Sequence, residues 1–342
     1  DPRTEPQQRW WLDRIGAARQ FSITGNQLWP VTAALRILWM MEHEPAVMAR
    51  ASRWLLIEDF LNFMLCGRYA TDYSMASNTL LFDQKRRCWS QELLEISGID
   101  GTLLCDPLPS GTVLGGVTGP AARATGLPEG TAVVLGGHDY LCGALPAGVF
   151  RPGAVLDVTG TWEIVAAALP EPILTPQALE LGVVVESHVA RGMYSAMCAS
   201  VAADMLEWFR NGICAAQKPD AAGAGPDWEP LIEEARRSPP GAHGAMFLPH
   251  MAGSTCPRVD PRSLGAFVGL RTSHTRGDLV RAMFEGLDFQ FLEILQALET
   301  GLGTRAEKIV AIGGAVRNGF WMQNKADVVG KPIEVPAIEE AT

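Results

Sequence analysis

Two short apolar runs, residues 131–135 (TAVVL) and 309–312 (IVAI), each stop at paired glycines, Gly136-Gly137 and Gly313-Gly314. Short apolar runs bounded by Gly or Pro read as strands. Two glycines at the end of a buried strand let the backbone turn sharply, so that the next residues face a cleft at the strand end. Residues 154–168 (AVLDVTGTWEIVAAA) read as a hairpin around Thr159-Gly160, a turn that exposes successive backbone N–H groups. Neither GxGxxG nor GxxxxGK[ST] accompanies these glycines, which disfavours a Rossmann dehydrogenase and a P-loop enzyme.

The rest of the chain supplies ample core. Its 342 residues are 47% hydrophobic and 19% charged, which excludes a disordered chain and favours two domains. Residues 1–104 read as mostly helical. Leu35, Leu38, Trp39 and Met41 fall at helical spacing within residues 35–48, and Leu55, Phe60, Leu61 and Met64 repeat the pattern ahead of Gly67, a C-cap. Thr275-Arg276-Gly277-Asp278 forms a capping box before Leu279, Met283, Leu287, Phe291, Ile294 and Leu298, the spacing of one long amphipathic helix. Residues 217–244, rich in Ala, Gly and Pro, read as a surface excursion around a short acidic helix at 227–237.

A net charge of -10, without a basic block, argues against nucleic acid or anionic membrane and for a small partner. No 18 apolar residues run together, so no membrane span is expected. Seven cysteines without a C-x-x-C pair suggest neither zinc nor disulfides and read as reduced thiols of a cytoplasmic protein; no residue is assigned to a metal.

Asp139 follows Gly136-Gly137-His138. An ionised Asp only accepts hydrogen bonds, which suits a group that orients a substrate hydroxyl and takes its proton; the same residue is placed to N-cap a helix beginning at Tyr140. His138 and Cys142 read as packing residues, because nothing at ligand spacing accompanies them. In Asp157-Val158-Thr159-Gly160-Thr161, a Thr hydroxyl and turn N–H groups suit an anion, although ordinary hairpin turns carry the same residues. Gly313-Gly314-Ala315, between a strand and a following helix, suits a nucleotide at the helix N-terminus. Trp29, in a polar loop beside Pro30, is either core or a platform for a sugar ring.

Gly265-Ala266-Phe267-Val268-Gly269-Leu270, a seven-residue spacer and Asp278-Leu279-Val280-Arg281-Ala282-Met283-Phe284-Glu285 together resemble the second signature of the FGGY family of carbohydrate kinases. Arg36-Ile37-Leu38-Trp39-Met40-Met41-Glu42-His43 is similar to the first, with Arg36 where the family usually has Lys. Ala70-Thr71-Asp72-Tyr73-Ser74-Met75-Ala76-Ser77 and Phe247-Leu248-Pro249-His250 are also family-like, and the resemblance runs almost end to end. Ser254-Thr255 stands where xylulose kinases often carry Glu-Arg, a departure from a strict xylulose pattern.

The resemblance implies an α/β, two-domain actin-like ATPase (ribonuclease H-like) fold with both domains incomplete. Residues 1–148 would be a sugar-binding domain without its first strands, and residues 149–342 a nucleotide-binding domain without its last helices. Asp139 becomes the catalytic base and, with Trp29, a substrate-binding residue. Residues 157–161 become the second phosphate motif, with Gly160 and Thr161 as nucleotide contacts, and Gly313, Gly314 and Asn318 the adenosine motif. ATP with Mg²⁺ is the implied donor and a small sugar or polyol the acceptor; a homodimer is compatible with this. A non-catalytic sugar or nucleotide sensor on the same fold is the alternative. Family members open with a glycine-rich Asp-x-Gly-Thr hairpin that is not found here, and they continue past residues 339–342 into a helix. The expectation is therefore a fragment, inactive by itself and prone to aggregate.

Overall fold

The computed structural model describes residues 2–214 and 228–337. Helices α1 (Glu5–Arg14), α2 (Ala17–Thr24) and α3 (Ala33–His43) bury Trp11, Ile23, Leu35 and Ile37 in one core with Leu80, Leu81 and Leu93. The helix expected across residues 35–48 breaks at Glu44, because Pro45 lacks an N–H and starts a separate turn, Pro45–Met48. Helix α4 (Ile57–Cys66) ends on Gly67 at φ 72, the expected cap. Its apolar stripe is not buried as the spacing implies: Ile57, Phe60, Leu61 and Met64 are exposed, while Leu65 and Cys66 pack inward.

Strand β1 (Ala70–Asp72) pairs in parallel with β2 (Asp106–Leu108), and β3 (Val113–Gly116) pairs antiparallel with β4 (Ala132–Val134). Gly136-Gly137 then leads into α5 (Asp139–Ala144). A Cβ on Gly137 would lie 2.3 Å from Val189 Cγ1 and 2.9 Å from Ser74 Oγ, so the close approach requires glycine.

From residue 154 the chain builds a six-stranded sheet from β5 (Ala154–Thr159), β6 (Trp162–Leu169), β7 (Val184–Ser187), β8 (Tyr194–Val201), β9 (Lys308–Ile312) and β10 (Ile333–Glu334). Their order is β10-β9-β5-β6-β8-β7; β5 and β6 form the expected hairpin, and β9 runs parallel to β5. Both faces are covered, as the near-continuous apolar sequence of β5 and β9 requires. Helix α8 (Arg276–Leu302) packs Phe291, Ile294, Leu295 and Leu298 on Val155, Val165 and Ala167. On the other face α5 packs Tyr140, Leu141 and Ala144 on Leu156, Ala166, Val310 and Ile312.

The capping box at the start of α8 is present: Thr275 N donates to Asp278 Oδ2 at 2.7 Å, and Ser238 Oγ donates to Asp278 Oδ1 at 2.6 Å. Burial acts to raise Asp278, but these bonds outweigh it and hold the carboxyl at about 2. Within the expected surface excursion, α7 (Glu229–Arg237) buries Leu231, Ile232 and Ala235 against α8 and is core; residues 215–227 and the sequence end at 338–342 lie outside the described residues. No described helix is long and apolar enough to cross a membrane.

The first 148 residues dock on the β7 edge of the sheet. Val185 N donates to Gly25 O at 2.7 Å, Gln27 Nε2 to Val183 O at 2.9 Å, and Ser187 N to Ser77 Oγ at 3.1 Å.

Candidate active site

The β5–β6 hairpin turns at Gly160-Thr161, closed by Gly160 N donating to Trp162 O at 2.9 Å. This turn, helix α6 (Ala203–Trp208), Ile232 of α7, Phe284 of α8 and the segment Gly314–Trp321 wall a cleft of about 610 Å³. Gly160, Thr161, Gly314 and Asn318 all line it. Gly313 does not: its φ is 101°, and a Cβ there would lie 2.6 Å from Thr159 O, so it lets β9 cross close to β5. A Cβ on Gly314 meets nothing within 4 Å, and one on Gly160 meets only Trp162 O at 3.9 Å. Both positions border space that the protein itself leaves open.

Two expectations on this side need correction. The glycines after β9 open a 3₁₀ turn, Gly314–Arg317, and the helix proper, α9 (Gly319–Val329), starts later, with Asn318 Oδ1 accepting from Trp321 N at 3.1 Å. The motif at residues 157–161 also divides. Asp157 and Thr159 are fully buried, because alternation along β5 puts both on one face of the sheet, with Glu163 paired opposite Thr159 on β6. Their partner is Lys325 of α9, whose Nζ lies 2.9 Å from Asp157 Oδ2 and 3.0 Å from Thr159 Oγ1 and also donates to Glu163 Oε1. Only the turn residues reach the cleft.

Burial acts to lower Lys325, but Asp157, Glu163 and Asp288 overcome it and hold the lysine charged. Burial pushes Glu163 up and lifts Asp288 to about 7, the latter against Lys325 and against hydrogen bonds from Asn324 Nδ2 (2.5 Å) and Trp321 Nε1 (2.8 Å). Trp321 thus joins this buried network to the cleft wall.

Asp139 and Trp29 do not line this cleft; Asp139 heads α5 with its side chain 76% exposed, Oδ1 accepting from Tyr140 N at 2.7 Å. The N-cap position belongs to His138, which makes no side-chain cap bond. His138 is not the packing residue expected. Its ring is 28% exposed, with Nδ1 3.3 Å from Glu186 Oε2 and 3.4 Å from Asn78 Nδ2, and Nε2 3.6 Å from Asp139 Oδ1. Its backbone N donates to Ser74 Oγ at 2.8 Å, and Ser74 Oγ donates to Asp72 Oδ1. Asn78 Oδ1 accepts from Asn26 Nδ2 at 3.4 Å, which ties the loop carrying the half-buried Trp29 to the Asp139 turn. Asn78, Glu186 and Lys325 carry no local sequence signal, since each meets its partner across dozens of residues. Among the described residues no group of three or more His, Cys, Asp or Glu is placed to hold a metal ion.

Residues 1–146 match the FGGY family of carbohydrate kinases, N-terminal domain, and residues 156–342 match its C-terminal domain. The chain belongs to the FGGY family of carbohydrate kinases. It is 33% identical over 321 residues to the autoinducer-2 kinase of Salmonella paratyphi A, covering 93% of this chain and 60% of that protein. With the autoinducer-2 kinase of Escherichia coli it is 33% identical over 329 residues, covering 94% and 61%. The chain therefore spans 60% of the length of the first of these FGGY relatives. Among solved structures, xylulose kinase from Rhodospirillum rubrum superposes with a TM-score of 0.85 at 26% identity, over 98% of this chain and 66% of that one. Plasmodium falciparum glycerol kinase with ADP superposes at 0.86 with 19% identity, over 100% and 67%, a likeness of fold alone. The actin-like α/β fold expected from the sequence is the fold of these kinases.

Proposed function

We propose that the protein transfers the γ-phosphoryl group of ATP to a hydroxyl of a small sugar or polyol, with residues 1–148 holding the acceptor and residues 149–342 the nucleotide. The observation that carries this reading is that one hairpin serves both sides: the β5–β6 turn lines the cleft, and α5, headed by Asp139, packs on the strands of that hairpin. The cleft suits ATP. Open space at Gly160 and Gly314 admits phosphates against backbone, Thr161 offers a hydroxyl, and Leu206, Ile232 and Phe284 give an apolar wall for the base. Magnesium, bound with the nucleotide beside Gly160 and Thr161, would supply charge neutralisation at the β- and γ-phosphates.

Asp139 orients the acceptor hydroxyl and takes its proton as the oxygen bonds to the γ-phosphorus; the β–γ bridging bond breaks and ADP leaves. Positioning and exclusion of water complete the chemistry. The activity belongs in the cytoplasm, with its ATP.

The test is ADP release by the protein with its native termini against autoinducer-2, xylulose, glycerol and a tetritol. The names of the relatives put autoinducer-2 first. Release dependent on one acceptor is expected; tight binding of acceptor and nucleotide without release from any of them would make the protein a sensor.

A further inference from the structure

His138 has a donor and an acceptor facing the same ring nitrogen. Asn78 is fixed with its amide NH₂ toward Nδ1, because its Oδ1 accepts from Asn26 and its Nδ2 also donates to Ser74 O at 3.2 Å. Glu186 presents Oε2 to the same Nδ1, and that oxygen accepts from Tyr140 OH at 2.9 Å. An unprotonated Nδ1 would accept from Asn78, and a protonated one donates to Glu186. The second carboxylate oxygen, Glu186 Oε1, is buried and has no hydrogen-bond partner among the described residues. Of the two groups that reach this fully buried carboxylate, Tyr140 OH is the nearer at 2.9 Å, and His138 Nδ1, at 3.3 Å, is the one that can carry a positive charge. Tyr140 sets the ring from the side, edge-on at 4.8 Å between centroids, and leaves Nε2 toward Asp139.

We propose that Glu186 is a positioning residue that works through His138, holding the imidazole as its cation with Nε2 aimed at Asp139 and at the acceptor side of the cleft. The inference rests on the kinase reading above. It adds a buried residue, 46 positions from Tyr140, that the reaction depends on without touching substrate. The charged and titratable groups facing the ring are Asp139 and Tyr140 from its own helix, Glu186 from β7, Asp72 from the end of β1 and Glu58 from α4. Burial opposes the cation, but Glu186, with Asp139 and Asp72, outweighs it and raises His138 above the ordinary histidine range. A cation here lies 3.6 Å from Asp139 Oδ1, where its charge favours the ionised carboxylate and fixes its orientation.

Two measurements test this. In the first, the six histidines are labelled with ¹³C on the ring and titrated by NMR, with His138→Gln assigning the resonance. Glu186→Gln should lower the His138 midpoint by about one pH unit or more, and Tyr140→Phe, which strips a competing donor from Oε2, should raise it. This readout needs no activity. An unchanged midpoint in Glu186→Gln overturns the proposal even if the protein is a kinase. In the second, kcat is followed against pH. Glu186→Gln should bring the alkaline fall in kcat to lower pH by the same amount while leaving kcat at pH 6 within about twofold, and in His138→Gln the second substitution should add nothing. An equal drop at every pH would mean Glu186 acts only as structure. Absence of acceptor-dependent ADP release from the wild-type protein would instead sink the kinase reading, with the titration still deciding the coupling.

Discussion

In the cleft proposed for the nucleotide the lining is offered by turns, Gly160-Thr161 and Gly314, carried on a sheet whose two faces are buried. Around Asp139, where the acceptor is proposed to bind, the framework is made of side chains: Asn26, Asp72, Ser74, Asn78, His138, Glu186 and Tyr140 come from separate segments and hold one another by hydrogen bonds. A surface made of backbone keeps its shape under most substitutions and fails at its glycines. One made of interlocking side chains changes whenever any member does, and that is where relatives of one fold can come to differ in what they accept.

The strongest way to separate the two sides is Asp139→Asn. It keeps shape but removes the proton acceptor, and turnover should fall about 10²–10⁴-fold with nucleotide affinity by calorimetry unchanged. A parallel loss of nucleotide binding would show that the two sides are one unit.

Lys325→Met probes what the backbone side rests on. It leaves Asp157 and Glu163 buried without their cation, and urea unfolding should show a loss of about 3–5 kcal/mol. Adding Asp157→Asn and Glu163→Gln should recover part of it. A loss below about 1 kcal/mol would mean that Lys325 is not held as a paired cation in the folded protein.

The paired glycines should respond in opposite ways. Gly314→Val should weaken ATP or ADP binding by about 10- to 100-fold with little change in Tm, since the added side chain meets only the open cleft. Gly313→Val should cost about 1–3 kcal/mol of stability, because φ is 101° and Thr159 O blocks the Cβ. If Gly314→Val binds nucleotide normally, the turn is not part of the nucleotide site.

The last effect, read as a slope against pH, concerns Asp288. Its carboxyl titrates at about 7 in the fold, against about 4 when unfolded. Between those values the folded state holds a proton that the unfolded state has released, so stability from this group falls as pH rises from about 4 to about 7. Asp288→Asn should flatten that part of the Tm–pH curve; an unaltered slope would place the titration elsewhere.

Much of the sheet side was legible in the sequence. The hairpin at 154–169, the capping box, the long α8 and the glycine turns all follow from local period and turn chemistry. Alternation along β5 puts 157 and 159 on one face, which leaves only Gly160 and Thr161 of residues 157–161 to line the cleft. The break at Pro45 is legible too. Lys325 was not legible: it sits in an ordinary helix, and its partners lie 162 to 168 residues earlier. Nor was the role of His138, since Asn78 and Glu186 stand 60 and 48 residues away and no local spacing links them. The exposed stripe of α4 shows the converse, a helical period that marks an apolar face without saying whether the described residues cover it.

Lys325 also decides how the cleft can breathe. Its Nζ ties α9, which begins beside the Gly314 turn, to the strands on either side of the Gly160 turn. These two lips cannot part without drawing a buried cation away from two carboxylates, so they form one stiff jaw. The opposing wall is fastened by other means. Helix α7 meets α8 through Leu231, Ile232 and Ala235, through Ser238 at its C-terminal end, whose Oγ donates to Asp278 Oδ1, and through the Arg276–Glu234 ion pair, whose side chains are 35% and 33% exposed and therefore open to water and salt. On the kinase reading, screening of that exposed ion pair should loosen α7, and the rate of nucleotide release should rise with ionic strength.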